Sequence, residues 1–147
     1  MRRAARPLLY VGIVAAVVGL SVYHGREIAD PPYSYTGTAR FGWSLLYIVL
    51  LAVTAYGFGL PDLPRSPRQA VTTSLGAVTA GALAISAVQL VAGDALLPRF
   101  VVFGSAILLV PWYLLCVALV GAATNAAQRD RVLVVSDTLD PAELRAD

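Results

Sequence analysis

The segment PRFVVFGSAILLVPWYLLCVALVGAATNAAQRDRVLVV, residues 98–135, decides the architecture of this chain. Its apolar run from Val101 to Ala123 can cross a bilayer, because about 20 residues rising about 1.5 Å each span a hydrocarbon core of about 30 Å. The run ends in polar residues and is followed by Val132–Val135, a short β-branched run typical of a buried strand. This segment therefore joins a membrane-spanning region to the first strand of a soluble region.

The composition of the whole chain is that of a membrane protein. Of its 147 residues, 58% are hydrophobic and 14% are charged, whereas soluble domains have roughly 45–50% and about 25%. All basic residues are arginines scattered at the ends of apolar segments, and the net charge is only +2, so nucleic-acid binding is not indicated. A single cysteine, Cys116, and a single histidine, His24, exclude an intrachain disulfide and a Cys/His metal site.

Four apolar runs predict an all-α membrane protein. The first run follows an arginine-rich start but lacks the small-x-small cleavage site of a secretory signal peptide, so we expect an uncleaved transmembrane helix. We assign residues 1–128 to a four-helix transmembrane domain. The predicted spans cover about residues 8–23, 41–60, 70–92 and 101–123.

Small and hydroxyl side chains indicate where these helices pack. Gly12, Ala15, Ala16 and Gly19 in the first span fall at small-xxx-small spacing, which lets a neighbouring helix approach closely. The third span is the richest in Ser, Thr and Gly, so we expect it to be the most surrounded helix. Gln89 near its end could line a polar path, although a single amide there is more often interfacial. We expect Trp112 in the fourth span to pack against a neighbouring helix.

The middles of the predicted spans contain no Asp, Glu, Lys or Arg. Pumps, proton relays and secondary transporters use such ionisable residues at membrane depth. The sequence therefore argues against those functions, and it offers no catalytic, cofactor-binding or metal-binding constellation.

The longest polar connection is HGREIADPPYSYTGTAR, residues 24–40. Two interpretations stay open: a solvated loop anchored by interfacial aromatic residues, which is the simpler one, or a small binding surface for a headgroup or sugar. The polar contacts of such a surface would be His24, Arg26, Glu27 and Asp30. His24 alone, beside a helix end, does not indicate acid–base catalysis.

The placement of arginines predicts the orientation. Seven arginines lie at the start, in the second connection and at the exit, whereas the first and third connections hold only Arg26, Arg40 and Arg99. Because basic loops favour the cytoplasm, both termini are predicted to be cytoplasmic. Arg40 and Arg99 then lie at the outer face, where we predict contacts with lipid phosphates.

Residues 129–147 predict the start of a cytoplasmic α/β module. After the strand-like run, Asp140–Glu143 combines an acidic N-cap, a proline at the first helical position and a glutamate at N3, which is a good helix start. One strand and a few helical residues are not stable alone. We therefore expect the opening of a βα unit, in the front piece of a longer protein. A frayed tail that only looks structured is the alternative.

This layout resembles the N-terminal membrane region of the large polyprenyl-phosphate sugar-1-phosphate transferases, bacterial enzymes that initiate exopolysaccharide synthesis. The residues that carry the likeness are Leu97–Val102, where the last span begins, and Arg131–Val135 after it. The resemblance implies a Rossmann-like domain and then a catalytic domain that moves a sugar phosphate from a nucleotide sugar to polyprenyl phosphate, with Mg²⁺ and paired acidic residues. No catalytic position of that family falls within this chain, so the Mg²⁺ would belong to the part beyond Asp147.

Two functions therefore stay open. The first is the membrane anchor of such a transferase in the bacterial inner membrane, which raises the effective concentration of a cytoplasmic active site beside its lipid substrate. The second is a small stand-alone four-span protein with a structural or assembly role. The lipid bilayer is a partner in both, polyprenyl phosphate only in the first, and the oligomeric state, including a homo-oligomer, stays open.

Overall fold

The computed structural model describes residues 2–61, 66–92 and 97–128. Most of these residues belong to four long helices: α1 Arg2–Tyr23, α2 Ala39–Gly57, α3 Pro67–Ala92 and α4 Arg99–Gln128. The first connection contains a π-helical turn, His24–Ile28, and a short 3-10 turn, Tyr35–Gly37. The strand and helix start predicted within residues 129–147 lie outside the described residues.

Each of the four helices is long and apolar enough to cross a membrane. Large apolar side chains cover the outside of the bundle: Val53 is 60% exposed, Leu83 65% and Ile107 72%. Soluble monomers rarely expose contiguous apolar surface on this scale, because water disfavours it. The chain is therefore a multi-pass membrane protein with a helical spanning region, as predicted.

The helices form a ring in chain order. Helix α1 packs against α2, α2 against α3, α3 against α4, and α4 back against α1, with the α1–α4 and α2–α3 contacts the most extensive. The first and third connections therefore meet at one end of the bundle. We call the end that contains residues 24–40 and 97–99 the polar end, and the end that contains residues 58–61 the closed end.

Helix α4, not α3, is the most surrounded helix, so the prediction for the third span is wrong. In the most apolar stretch of α4, 39% of the residues are buried, compared with 22% in α3. The physical reason is the packing order: α4 has its broadest contact with α1, a second with α3, and a polar contact with α2 across the core. The small residues of α3 permit close packing, but they do not decide how many neighbours a helix has.

The polar contact across the core joins Tyr47 of α2 to α4. The fully buried Tyr47 hydroxyl donates to the Val102 carbonyl at 3.2 Å and accepts a hydrogen bond from the Ser105 hydroxyl at 3.1 Å. Such contacts between membrane helices contribute about 0.6 kcal/mol each. This small network fixes α2 relative to α4 although the two helices are not neighbours in the ring.

Helix α1 approaches α4 closely at Gly12. A Cβ atom built on Gly12 would overlap the indole ring of Trp112, so only glycine leaves room for that ring. Open space surrounds the same position of Gly19. The predicted close approach is therefore confirmed at Gly12 but not at Gly19, and Trp112 packs against a neighbouring helix as expected.

Helix α2 ends at Gly57, before the end of the predicted second span. The N–H of Leu60 donates to the carbonyl of Ala55, and the N–H of Gly59 to that of Tyr56, each at 2.9 Å. Gly59 has a φ of +77°, so this is a Schellman turn, in which a glycine adopts the left-handed conformation after the helix. Leu60 and Pro61, which follow the turn, are buried. Because these apolar residues continue the apolar run past the helix, the hydropathy of the sequence does not show where α2 ends.

Candidate functional site

The two arginines predicted to contact lipid phosphates lie at one cavity. Arg40 is in the first turn of α2 and Arg99 is the first residue of α4. Both line a cavity of about 570 Å³ at the polar end, which we call the arginine cavity. The sequence placed these residues on one face of the membrane, and the packing of the bundle brings them to the same site.

The arginine cavity has an apolar side. Leu97, Pro98 and Val102 contribute to its lining together with Leu90 and Phe103. Leu90 is 84% exposed and Phe103 is 64% exposed, so this wall opens towards the outside of the bundle rather than into the core. The cavity thus combines a basic region with an apolar face directed at the surrounding lipid.

Gln89, from the last turns of α3, adds a hydrogen-bond donor. Gln89 is one of the residues that line the cavity, and its buried Nε2 has no hydrogen-bond partner among the described residues. The neighbouring Ser86 hydroxyl already donates to the Ala82 carbonyl at 2.7 Å. An unpartnered buried N–H costs about 1–3 kcal/mol, and an acceptor bound within its reach would relieve that cost.

Arg40 is held in place by local contacts. Its guanidinium carbon lies 4.0 Å from the centre of the Tyr33 ring, a cation–π contact worth about 0.5–1 kcal/mol at an exposed site. Its backbone carbonyl accepts a hydrogen bond from Ser44 at 3.0 Å, and the Ser44 and Ser21 hydroxyls lie 3.2 Å apart in the core. The start of α2 is therefore tied to α1, while the guanidinium stays at the cavity.

His24 lies between the first connection and α4. Its Nδ1 is 3.1 Å from the Tyr33 hydroxyl, and its ring centre is 6.1 Å from that of Phe100. The connection folds back because the Tyr33 N–H donates to the Gly25 carbonyl at 3.0 Å. A Cβ atom on the buried Gly25 would lie 3.0 Å from the Tyr33 carbonyl oxygen, a tight contact that a side chain could make only if its neighbour shifted by a few tenths of an ångström.

A second cavity, of about 590 Å³, shares His24 and Arg40 with the arginine cavity. Asp30, Tyr33 and Thr38 supply its other polar lining, and we call it the Asp30 cavity. The two cavities therefore meet at His24 and Arg40. Of the four candidates in the first connection, His24 and Asp30 line these cavities, whereas Arg26 and Glu27 line neither.

The charges of the site follow from this lining. Among the residues that the structure describes, no carboxylate forms an ion pair with Arg40 or Arg99. In the same ranges, no group of three or more His, Cys, Asp or Glu residues is placed to hold a metal ion. The arginine cavity is therefore basic, and the carboxylate of Asp30 belongs to the adjoining cavity.

Sequence reasoning missed two residues of the site. For Gln89 the sequence leaves open a polar path or, more simply, an interfacial amide, and it places Tyr33 only among the interfacial aromatic residues of the first connection. No local pattern shows that Gln89 and Arg99 line the same cavity, because that depends on which helices are neighbours. The spacing of Tyr33 and Arg40 could not show their contact either, since it depends on how the first connection folds back.

Comparisons of this chain with protein-family models, with curated proteins and with solved structures found no match. The site is therefore interpreted from its own geometry.

Proposed function

We propose that this chain is a four-helix membrane anchor whose polar end binds the phosphate of a lipid headgroup. The observation that carries the proposal is the arginine cavity, which is lined by Arg40, Arg99 and Gln89, the last with an unpartnered Nε2. Arginine is suited to this task because its planar guanidinium can donate two parallel hydrogen bonds to phosphate oxygens. The amide N–H of Gln89 supplies a further donor.

The apolar wall favours a lipid over a free anion. Leu90 and Phe103 are exposed beside the basic region, so a phosphate held there would have its acyl chains along the outside of α3 and α4. A free phosphate would leave that apolar surface unused. The proposed ligand is therefore an anionic lipid.

The experiment measures lipid binding to the full chain in detergent by native mass spectrometry. Phosphatidic acid is compared with phosphatidylcholine of the same acyl chains, because the choline group cancels the net charge of the phosphate. We expect tighter binding of phosphatidic acid. Each of Arg40→Gln and Arg99→Gln should weaken it about fivefold, since one arginine near an anionic surface is worth about 1 kcal/mol.

The matched control is Arg26→Gln, at the same end of the bundle but in the lining of neither cavity. It should bind phosphatidic acid as the wild type does. Equal binding of the two lipids, or wild-type affinity in the Arg40→Gln, Arg99→Gln double variant, would refute the proposal. Displacement of the lipid by millimolar inorganic phosphate would instead indicate a free-anion site.

We propose further that this anchor belongs to a polyprenyl-phosphate sugar-1-phosphate transferase of the bacterial inner membrane. The support is the four-span layout and the likeness at Leu97–Val102 and Arg131–Val135. The catalytic domain and its Mg²⁺ would lie beyond Asp147. A reading frame that continues into βα units, with membranes that transfer sugar phosphate to polyprenyl phosphate, would support this. A stop codon directly after Asp147 would favour the stand-alone four-span protein.

The orientation that we propose has both termini in the cytoplasm. Its support is the distribution of seven arginines against three described above. Ser34→Cys at the polar end and Ser66→Cys towards the closed end introduce exposed thiols, while the native Cys116 is buried. A membrane-impermeant maleimide should label Ser34→Cys in intact cells and Ser66→Cys only after permeabilisation. The reverse pattern would invert the topology and place the lipid site on the inner leaflet.

A further inference from the structure

We infer that the polar end selects a lipid whose phosphate carries a hydroxyl-rich substituent, a cyclitol or a sugar, and that the Asp30 cavity receives this substituent. The inference rests on the proposed function, since it names the class of headgroup that the same site takes. It follows from the way in which the two cavities join and from the chemistry of the second one.

The joined cavities suit a phosphodiester. A phosphate held between Arg40 and Arg99 lies beside the apolar wall on one side and beside the Asp30 cavity on the other, because Arg40 and His24 line both spaces. The acyl chains and the headgroup substituent leave a phosphodiester from two different oxygens. The Asp30 cavity, of about 590 Å³, is within the range of about 300–1,000 Å³ that small-ligand pockets occupy.

The polar groups of the Asp30 cavity favour hydroxyls. The carboxylate of Asp30 only accepts hydrogen bonds, so it needs donors such as hydroxyl groups. The Thr38 hydroxyl already donates to the Tyr35 carbonyl at 3.1 Å and therefore also offers an acceptor. His24 contacts the Tyr33 hydroxyl through Nδ1, which leaves its Nε2 for a ligand. A polyol supplies donors and acceptors to all of these groups.

Two other kinds of substituent fit less well. A second phosphate would meet the Asp30 carboxylate, and like charges at close range are destabilising. A quaternary ammonium group would meet the guanidinium of Arg40, and the Tyr33 face that could have received it is covered by that guanidinium at 4.0 Å. A neutral, hydroxylated substituent has neither conflict.

The test compares two phosphodiester lipids of equal charge and equal acyl chains on the full chain in detergent. Phosphatidylinositol carries a cyclitol, whereas phosphatidylmethanol carries only a methyl group. We expect phosphatidylinositol to bind at least about fivefold more tightly, which corresponds to one or two added hydrogen bonds. Asp30→Ala should reduce phosphatidylinositol to the affinity of phosphatidylmethanol and leave phosphatidylmethanol unchanged or slightly tighter.

Glu27→Ala is the matched control, because Glu27 is an exposed carboxylate of the same connection that lines neither cavity. It should preserve the preference for phosphatidylinositol. Equal affinity of the wild type for phosphatidylinositol and phosphatidylmethanol would overturn the inference and leave the phosphate site in place. An equal loss of affinity for the two lipids in Asp30→Ala would have the same consequence. Failure of the wild type to prefer phosphatidic acid over phosphatidylcholine would instead refute the proposed function.

Discussion

The two ends of the bundle turn the chain by different means. At the closed end the backbone makes the turn, because the N–H groups of Gly59 and Leu60 donate to carbonyls of the last helical turn and Leu60 is buried. At the polar end a longer connection is held by backbone bonds, such as that from the Tyr33 N–H to the Gly25 carbonyl, and also by side chains, among them the Tyr33–Arg40 stack. The arginine cavity and the Asp30 cavity lie there, and the Nε2 of Gln89 has no partner among the described residues.

This difference indicates that the closed end contributes mainly to stability and the polar end mainly to ligand binding. Groups that satisfy one another contribute to folding and leave nothing for a ligand, whereas unpartnered donors and unpaired guanidinium groups cost some stability and provide recognition. We therefore expect substitutions at the closed end to change the free energy of unfolding alone. Substitutions at the polar end should change lipid affinity with little effect on unfolding.

The largest change in the free energy of unfolding is expected from Gly12→Ala, which disturbs packing between two helices of the bundle. The new methyl group would overlap the Trp112 ring, and overpacking of this kind costs about 1–3 kcal/mol. The α1–α4 contact is the most extensive between any two helices of the bundle. The loss should therefore appear in global unfolding, measured by denaturant titration in detergent. Gly19→Ala, with open space around it, should stay within about 0.5 kcal/mol of the wild type. Equal stability of the two variants would show that the Gly12–Trp112 contact is not tight.

At the closed end, Gly59→Ala should lower the free energy of unfolding by about 1–2 kcal/mol, because a Cβ atom is strained at a φ of +77°. The affinity for phosphatidic acid should not change. Gly57→Ala is the control, since it also has open space around it but no positive φ. If Gly59→Ala weakened lipid binding as strongly as it weakened stability, the two ends would not be independent.

At the polar end, Gly25→Ala should weaken binding of phosphatidic acid by about 0.5–1 kcal/mol, or two- to fivefold. The new Cβ atom would lie 3.0 Å from the Tyr33 carbonyl oxygen, so Tyr33 must shift slightly, and we expect this shift to disturb its contact with Arg40. Gly42→Ala, at the same end with open space around it, should bind as the wild type does. An unchanged affinity in Gly25→Ala, measured by native mass spectrometry, would mean that the Tyr33–Arg40 contact does not position the arginine.

The smallest change in the free energy of unfolding is expected from Tyr47→Phe. Tyr47 lies between the two ends of the bundle. The free energy of unfolding should fall by about 0.6 kcal/mol, the typical value of a hydrogen bond between membrane helices. The loss is modest because the Val102 carbonyl still accepts from Ser105 at 3.0 Å, so no polar atom of this network is left unpartnered. Denaturant titration measures the change, and lipid affinity should remain that of the wild type. A loss above about 2 kcal/mol would indicate that Tyr47 fixes the polar end as well.

The sequence predicts those features that depend on local composition. The four spans follow from bilayer thickness, and the apolar run from Val101 to Ala123 shows this most clearly. Gly12 also belongs to a local pattern, although the same pattern at Gly19 has no close neighbour in the bundle. The end of α2 was less visible because Leu60 and Pro61 continue the apolar run after the helix has stopped.

Features that depend on the order of packing could not be predicted in the same way. The burial of α4 depends on its contacts with α1 and α3, and the meeting of Arg40, Arg99 and Gln89 depends on three helices ending at one place. Hydropathy contains no information about neighbours. The α/β start at residues 129–147 and the transferase relationship stay predictions, since the former lies outside the described residues and no comparison bears on the latter.

The most direct test of the central claim measures the distance between lipid phosphorus and arginine. In the full chain with ¹³C-labelled arginine guanidinium carbons, reconstituted with phosphatidic acid, ³¹P–¹³C dipolar dephasing detects only guanidinium groups in contact with phosphate. We expect each of Arg40→Gln and Arg99→Gln to remove the dephasing of one guanidinium group relative to the wild type, and the double variant to remove that of two. Undiminished dephasing in the double variant, or its loss on Arg68→Gln instead, would contradict a phosphate site at the polar end.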